Sequence, residues 1–209
     1  MAFSFSDFVK LRPRLFHLTA RENAARIERD LQIFPAADLI RESQPNIDIR
    51  KRRPEGLYID ADGERIHLRD QAPLHAGNIE LQGGWSFERF VEELNSHVFF
   101  WPGTASGPVS SGRRHFARYA SDDVLVFDLN TLEVLGANRE IPPRFCKYNS
   151  GSPRCSYGLR SPRGPSTFVG AETFTKTGSG VVEVVFRGRV RLDGCCIRKR
   201  SIEEFVQTG

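Results

Sequence analysis

A lone carboxylate close to the end of the chain is the side chain best placed to do chemistry. Glu183 stands in the apolar run 181–186, where the alternation of a β-strand places Val181 and Val185 on its own face. Burying an unpaired carboxylate among such side chains costs several kcal/mol. Glu183 is therefore either a solvent-facing strand residue or a carboxylate held in a cleft, and the strand alone favours the first.

A second group of polar side chains lies near the start of the chain. Residues 14–18 predict a short strand, on which His17 and Thr19 share one face. Thr19 and Glu22 have the spacing of a capping box, so Thr19 is also explained as a helix N-cap. A strand histidine is commonly a core residue, and Asn23 fits a helix surface. Taken singly, each of these residues has a purely structural explanation.

Basic and aromatic side chains form a third group. The arginines that could hold phosphates are Arg52, Arg53, Arg69, Arg113 and Arg114. They are equally consistent with a solvated surface. Phe99, Phe100 and Trp101 offer rings that could stack on a flat ligand, although an apolar strand after a helix is usually core.

Several common catalytic signatures are absent from the sequence. It contains no GxGxxG, no GKS or GKT phosphate loop and no GxSxG. Hydride transfer on a Rossmann domain, nucleoside triphosphate hydrolysis and serine esterase chemistry are therefore disfavoured. The four cysteines, at positions 146, 155, 195 and 196, match no zinc spacing, so we expect no metal site.

Local patterns predict the elements that position these residues. Ala24, Ile27 and Leu31 form the apolar stripe of a helix, and a second short helix starts near Pro35. Residues 44–54 are polar and basic, which predicts a loop. Residues 57–60 and 65–69 predict a hairpin closed by a tight turn at Asp-Gly, residues 62–63.

The clearest helix covers residues 85–95, where apolar side chains recur with helical spacing. The residues that follow it predict a strand over 98–101 that is stopped by Pro102 and Gly103, and then a flexible loop over 103–112. Residues 142–165 predict a long irregular segment carrying five basic side chains. Further strands are predicted over residues 124–129, 181–186 and 190–197.

Length and composition set the class. The chain has 209 residues, is 39% hydrophobic and contains 16 phenylalanines, which fits one domain with an aromatic core. Helices come early and strands late, so we predict a single α+β domain over residues 1–209. The net charge of +4 fits a polyanionic partner or a phosphate-rich ligand. Because we find neither a transmembrane run nor a secretory signal, we expect a cytoplasmic protein without membrane contact.

Three segments together resemble the DarT-type ADP-ribosyltransferases. Residues 15–27 (LFHLTARENAARI) are similar to the opening "YHhTxxxNLxxI" of that family, and residues 97–102 (HVFFWP) to its "YVPFYF" strand. Residues 183–190 (EVVFRGRV) are similar to its "EVLVPxxVP" strand, which begins with the catalytic glutamate. The matches occur in the family's order. The chain also resembles an uncharacterised bacterial group with an HLT…RDQ…LN…VFFW series.

The resemblance implies a fold of two small packed, mainly antiparallel sheets with flanking helices. It also implies an NAD-dependent mono-ADP-ribosyltransferase with Glu183 as catalytic carboxylate, supported by an arginine, either Arg53 or Arg69. The NAD-binding residues that it implies are His17, Leu18, Thr19, Asn23, Arg69 and Phe100, with Phe100 packed on the nicotinamide. A fixed carboxylate in a cleft would stabilise the positive charge that develops on the ribose as nicotinamide leaves.

The implied acceptor is a nucleic acid, either DNA or RNA, contacted through residues 103–114 and 142–165. A toxin or phage-defence role with an antitoxin partner is the implied context. The sequence departs from the family after Trp101, where PGTASG replaces a "PRSPML"-like motif, so a specific base preference does not carry over.

Two alternatives stay open. One is an NAD-dependent RNA 2′-phosphotransferase that uses His67, Arg69, Arg113 and His115. The other is a catalytically silent member that binds nucleic acid or a protein partner.

Overall fold

The computed structural model describes residues 3–206 of the chain. Its helices are α1 (Phe5–Leu11), α2 (Ala24–Asp30), α3 (Ala36–Ser43), α4 (Phe87–Asn95), α5 (Ser110–Arg118), α6 (Thr131–Ala137) and α7 (Glu203–Val206). Its strands are β1 (Arg14–Ala20), β2 (Gln32–Ile33), β3 (Leu57–Ala61), β4 (Glu64–Leu68), β5 (Ile79–Leu81), β6 (His97–Thr104), β7 (Gly107–Pro108), β8 (Val124–Asn130), β9 (Arg144–Cys146), β10 (Ser161–Arg163), β11 (Glu183–Arg187), β12 (Val190–Arg191) and β13 (Arg198–Arg200).

The main sheet is antiparallel and runs in the order β13-β8-β1-β6-β11-β9, with β7 paired to the end of β6. Three two-stranded pairs accompany it: β3 with β4, β12 with β2, and the parallel pair β10 with β5. The α+β class is therefore confirmed, and its sheets are mainly antiparallel. The strands of the main sheet form one hydrogen-bonded path, in which β6 connects the β1 side to the β11 side.

Strand β6 is paired differently along its two edges. On one edge, Trp101 and Gly103 lie opposite Phe16 and Arg14 of β1, and the pairing ends there. On the other edge, residues 97–100 pair with β11. Strands β1 and β6 therefore separate beyond Phe16, and an opening forms between them in the middle of the sheet.

Apolar clusters cover both faces of the sheet. One face packs on a phenylalanine-rich core that includes Phe8, Phe100 and Phe145. The opposite face carries two smaller clusters, one beneath α5 and α7 and one beneath α4. The opening between β1 and β6 lies between these elements, so rigid, well-packed structure surrounds it.

Most of the local predictions are confirmed. The strand at 14–18, the helices that start after Asn23 and Pro35, the loop at 44–54 and the β3–β4 hairpin are all present. The hairpin turn places Asp62 and Gly63 at φ of 55° and 77°, as a tight turn of that sequence requires. Helix α4 begins after Ser86, whose hydroxyl accepts a hydrogen bond from the Arg89 N–H.

The predicted capping box at Thr19 is wrong. Strand β1 continues to Ala20 because Thr19 pairs with Leu125 of β8, and the cap of the following 3₁₀ turn has no side-chain hydrogen bond. The end of the predicted apolar stripe is also wrong. Leu31 adopts the left-handed conformation (φ 48°) that ends α2, and its side chain is 36% exposed.

The predicted stop at Pro102 and the flexible loop after it are also wrong. Strand β6 runs through Pro102 to Thr104 and turns into β7. The turn is tight enough that a Cβ at Gly103 would lie 2.2 Å from the Gly107 oxygen, so glycine is required there. Helix α5 then begins at Ser110, and residues 103–112 are ordered.

Two further segments differ from the predictions. The strand predicted over 190–197 is only the two-residue β12, and β13 follows as a separate strand. The irregular segment 142–165 contains the short strands β9 and β10. Helix α1 and the short strands β2, β5 and β7 lie outside the predicted elements.

Candidate functional site

A cavity of about 260 Å³ opens where β1 and β6 separate. Residues 17–20 of β1 all line it, because β6 no longer pairs with that edge. The hairpin strand β4, the end of α4, helix α5 and the segment 149–152 supply further parts of the wall. Glu183 also lines it, at the start of β11.

The floor of the cavity is aromatic. Phe99 and Trp101 share one face of β6 and line the cavity. Phe100 points to the opposite face, is fully buried, and packs edge-on against Phe186 in the main core. The implied contact between Phe100 and a nicotinamide ring therefore does not fit, because strand alternation turns this side chain away. Its two neighbours offer the rings instead.

Glu183 is not the solvent-facing residue that its strand alone favoured. It is 2% exposed, and its carboxylate accepts hydrogen bonds from the backbone N–H of Ser150, at 3.1 and 3.3 Å to its two oxygens. No ion pair between residues of the described chain involves it. Burial raises its pKa from 4.5 to about 7, and the hydrogen bonds from Ser150 oppose this rise only in part.

The Ser150 N–H is held in place by a buried arginine. Arg163 is 1% exposed and donates to the carbonyl oxygens of Ser150 (3.2 Å), Asn149 (2.9 Å) and Pro162 (2.9 Å). Its guanidinium also lies 4.1 Å from the centre of the Tyr148 ring. Arg163 therefore fixes the 149–150 turn, and that turn fixes the carboxylate of Glu183 at the cavity wall.

His17 bridges the opening between β1 and β6. Its Nδ1 lies 2.9 Å from the carbonyl oxygen of Phe99. Because a carbonyl only accepts, Nδ1 carries the proton and Nε2 is left as an acceptor. Burial lowers the pKa of His17 to about 4, so the ring is neutral at pH 7.

Leu18, Thr19 and Asn23 form the adjoining wall. The Asn23 side-chain amide donates to the carbonyl of His67 (2.9 Å) and accepts from the N–H of His67 (3.0 Å). It also lies 3.4 Å from the Thr19 hydroxyl oxygen. Asn23 therefore ties β1 to β4 and supports the wall, since its donor and acceptor groups both have protein partners.

Both candidate arginines line the cavity, and their guanidinium groups differ in the contacts that they make. Arg53 donates from Nη1 to the Asn95 side-chain oxygen (2.8 Å), and burial lowers its pKa to about 10. Arg69 lies 4.7 Å from the centre of the Tyr119 ring, and burial lowers its pKa as well. Neither guanidinium has a carboxylate ion pair among the described residues. Each is therefore a cation suited to a bound anion.

Partnerless buried polar atoms concentrate at this cavity. Of the six such side-chain atoms found in residues 3–206, five belong to residues that line it: Arg26 Nε, Arg53 Nε, Arg69 Nη1, His97 Nε2 and Ser150 Oγ. Buried polar groups without partners cost free energy and are uncommon, so their concentration at one cavity indicates a site built for a polar ligand.

Sequence reasoning missed Tyr119 and Ser150. Tyr119 is buried below Arg69, and burial raises its pKa. His115, named only for the alternative activity, lines the cavity, and burial lowers its pKa to about 3. The sequence contained one signal for part of the cavity lining. The RDQ and LN segments of the bacterial resemblance, residues 69–71 and 94–95, all line the cavity together with His17.

The four residues of the phosphotransferase alternative are not brought together. His67, Arg69 and His115 line the cavity. Arg113 instead donates to the carbonyl oxygens of Ser106 (2.8 Å) and Pro108 (3.3 Å), beside the β6–β7 turn. The paired arginines that this reaction needs around one phosphate are therefore not formed by these residues.

Two kinds of feature are absent from the described part of the chain. Residues 3–206 contain no group of three or more His, Cys, Asp or Glu side chains arranged to hold a metal ion. The same residues form no helix long and apolar enough to cross a membrane.

Comparison with known proteins identifies a family without a known activity. The model of DUF7002, a family of unknown function, matches residues 13–193. The chain belongs to the DUF7002 family. Curated proteins and solved structures yield no match. The matched region contains the whole cavity wall from His17 to Glu183.

Proposed function

We propose that this DUF7002 protein is an NAD-dependent mono-ADP-ribosyltransferase that modifies a nucleic acid, with Glu183 as its catalytic carboxylate. One observation carries the proposal: a buried glutamate with no ion pair in the described chain lines the same cavity as Arg53 and Arg69, two arginines that likewise have no carboxylate ion pair among the described residues. The pKa of Glu183, about 7, suits a group that must be ionised in one step and protonated in the next.

The cavity walls fit the parts of NAD. Arg69 and Arg53 offer cations to its pyrophosphate. Phe99 and Trp101 offer flat apolar surface to its nicotinamide ring. His17 offers a neutral ring nitrogen as acceptor for a ribose hydroxyl. These are the residues that would hold the dinucleotide. Their position around one opening in a mainly antiparallel sheet is consistent with the ADP-ribosyltransferase fold that we propose for this chain.

NAD supplies the ADP-ribosyl group, because breakage of its bond from ribose C1′ to nicotinamide leaves the electron pair on nicotinamide. The ionised Glu183 stabilises the positive charge that develops on the ribose, and its rigid hydrogen bond to Ser150 keeps it in position. A nucleophilic atom of the acceptor then bonds to C1′, and Glu183 accepts the proton that this atom releases. Positive charge near Glu183 favours its ionised form and so lowers its pKa during the reaction.

The acceptor that we propose is a DNA or RNA base, and the context is a toxin or defence protein with a possible antitoxin partner. The experiment uses NAD radiolabelled in its adenylate half, incubated with DNA, RNA and protein acceptors. We expect label on a nucleic acid, and a loss of about 10²–10⁴-fold in rate for Glu183→Gln. Glu93→Gln is the matched control because Glu93 is buried to the same degree but lies outside the cavity.

Equal transfer by wild type and Glu183→Gln, or absence of both transfer and NAD-dependent stabilisation, would overturn the proposal. A thermal unfolding titration with NAD separates the silent alternative from a missing acceptor. A ligand at 100 times its dissociation constant adds about 2.7 kcal/mol to the free energy of unfolding. Stabilisation without transfer indicates that the right acceptor has not been supplied, whereas no stabilisation favours the silent alternative.

A further inference from the structure

A second cavity adjoins the first and differs from it in charge. Its volume is about 290 Å³, and it lies between helix α5 and the segment 147–163. Its exposed basic side chains are Arg114, Arg118, Lys147 and Arg154. No carboxylate of the described chain lines it. We call this cavity, defined by these four residues, the cationic groove.

Within residues 3–206, the basic side chains of the groove have no carboxylate counter-ion, unlike many basic residues elsewhere in the chain. In α2, Arg26 pairs with Asp30, Asp62 and Glu64, and Arg29 pairs with Asp30 and Glu64. None of the ion pairs formed within residues 3–206 involves a cation of the cationic groove. Four like charges left together without carboxylates repel one another, and this arrangement is expected where a polyanion binds.

The cationic groove is continuous with the Glu183 cavity. His115, Asn149 and Ser152 line both, and Val182, which lines the groove, directly precedes Glu183 on the chain. The wall that they share is the segment held by Arg163. A nucleotide whose phosphate lies in the groove can therefore place its base or sugar in the cavity beside Glu183.

A tight turn at the edge of the groove presents an aromatic ring to solvent. Ser156 and Leu159 exchange two backbone hydrogen bonds of 3.0 and 2.9 Å, and Tyr157 and Gly158 between them have φ of 51° and 76°. This is the backbone of a two-residue hairpin turn. The Tyr157 side chain is fully exposed, and Arg154 and Arg160 flank the turn.

We propose that the cationic groove binds the phosphodiester backbone of the acceptor strand and that Tyr157 stacks on one of its bases. That the bound strand is the acceptor of ADP-ribose rests on the proposed function. That it binds in the groove rests on the charge and geometry of the groove. Exposed rings interleaved with basic side chains are the usual means of holding unpaired bases and their phosphates. The groove thus delivers a nucleotide to the carboxylate without requiring a particular base sequence.

The test measures binding of fluorescently labelled DNA and RNA 12-mers of mixed sequence to the full chain without NAD, across a range of salt concentrations. We expect the logarithm of the binding constant to fall linearly with the logarithm of the salt concentration. The steepness of this fall should decrease by about 0.7 for each phosphate contact removed. The double substitution Arg114→Glu/Arg118→Glu should weaken binding roughly tenfold or more at low salt. Tyr157→Ala should weaken it roughly tenfold and Tyr157→Phe should restore it, because stacking needs the ring and not the hydroxyl.

Controls separate the groove from overall charge and from folding. Arg139→Glu/Lys176→Glu makes the same change in net charge at exposed positions that line neither cavity. Every variant is also tested for thermal unfolding with and without NAD. The groove variants should keep their unfolding transition and their NAD-dependent stabilisation, so that this proposal can fail while the NAD site stands.

Three results would overturn the proposal. One is equal 12-mer binding by wild type and the groove variant. Another is equal loss of binding in the groove variant and the charge control. The third is loss of NAD-dependent stabilisation in the groove variant with 12-mer binding unchanged, which would assign the groove to the dinucleotide's own phosphates.

Discussion

Glu93 and Glu183 are buried to almost the same degree, at 4% and 2% exposed, but their surroundings are opposite. Glu93, in helix α4, accepts hydrogen bonds from Arg89 (2.9 Å) and Arg187 (3.1 Å), which are themselves half-exposed. Glu183 accepts from the Ser150 backbone N–H, lines the cavity, and has no ion pair among the described residues.

The difference indicates two uses of a buried carboxylate. Arginines satisfy Glu93, and it ties α4 to the end of β11, so its contribution is to the fold. Glu183 carries a desolvated charge that has no ion pair among the described residues, which destabilises the folded state at neutral pH and leaves the carboxylate available to a ligand. Substitutions at the two positions should therefore act on different properties of the protein.

The largest expected difference is in the pH dependence of stability. The pKa of Glu183 is 4.5 in the unfolded chain and about 7 in the folded protein. Protonated Glu183 therefore stabilises the fold, and this contribution is complete below pH 4.5. That contribution, about 3 kcal/mol, is lost as pH rises from 4.5 through 7. Relative to wild type, Glu183→Gln should therefore gain about this much free energy of unfolding between pH 4.5 and 8.

Urea unfolding of both proteins across this range measures the difference. The lowered pKa values of His17 and His115 act in the other direction, since their stabilisation is complete above pH 6.5 and is lost as pH falls toward about 4 and 3. Both proteins carry these histidines, so their effect cancels in the comparison. A constant difference between wild type and variant would mean that Glu183 does not titrate near 7.

A smaller effect of opposite sign is expected at Glu93. Glu93→Gln removes charged hydrogen bonds to two arginines and should lower the free energy of unfolding by about 2 kcal/mol. Glu92→Gln, one residue away and in a longer contact with Arg89 (3.7 Å), should cost no more than about 0.5 kcal/mol. NAD-dependent stabilisation should be the same in both variants and wild type. Its loss in Glu93→Gln alone would break the distinction between the two glutamates.

The smallest effect distinguishes the two arginines of the cavity. Arg69 has an unpartnered Nη1, whereas the Nη1 of Arg53 is held by Asn95. Arg69→Gln should therefore reduce the affinity for NAD about tenfold, or about 1.4 kcal/mol, and Arg53→Gln should reduce it less. Thermal unfolding at increasing NAD concentration gives both affinities. The reverse order would assign the pyrophosphate to Arg53.

The elements predicted from sequence are those that local patterns determine. Helix α4 and the β3–β4 hairpin follow from the spacing of apolar residues and from one Asp-Gly turn. Thr19 shows where such patterns fail. Its capping-box spacing was overridden by pairing with Leu125, more than 100 residues away, which no local signal contains. The path of β6 through Pro102 likewise depends on its partners in the sheet.

The site was predictable only in part, for the same reason. His17, Arg69 and Glu183 were named from their order in a resemblance, and the fold places all three at one cavity. The burial of Glu183 was not predictable from its strand, because it depends on the 149–152 segment that Arg163 holds against it. The resemblance named Phe100 as the ring that packs on nicotinamide, but Phe99 and Trp101 are the rings that line the cavity. The resemblance fixed the segment but not which of its rings faces the opening.

A crystal structure of Glu183→Gln grown with NAD tests the central claim most directly, because this variant should bind the dinucleotide without consuming it. We predict density for NAD in the cavity, with a ribose hydroxyl within hydrogen-bond distance of the side chain at position 183 and the pyrophosphate on Arg69. NAD bound elsewhere, or a cavity without it at concentrations that saturate thermal stabilisation, would contradict the account.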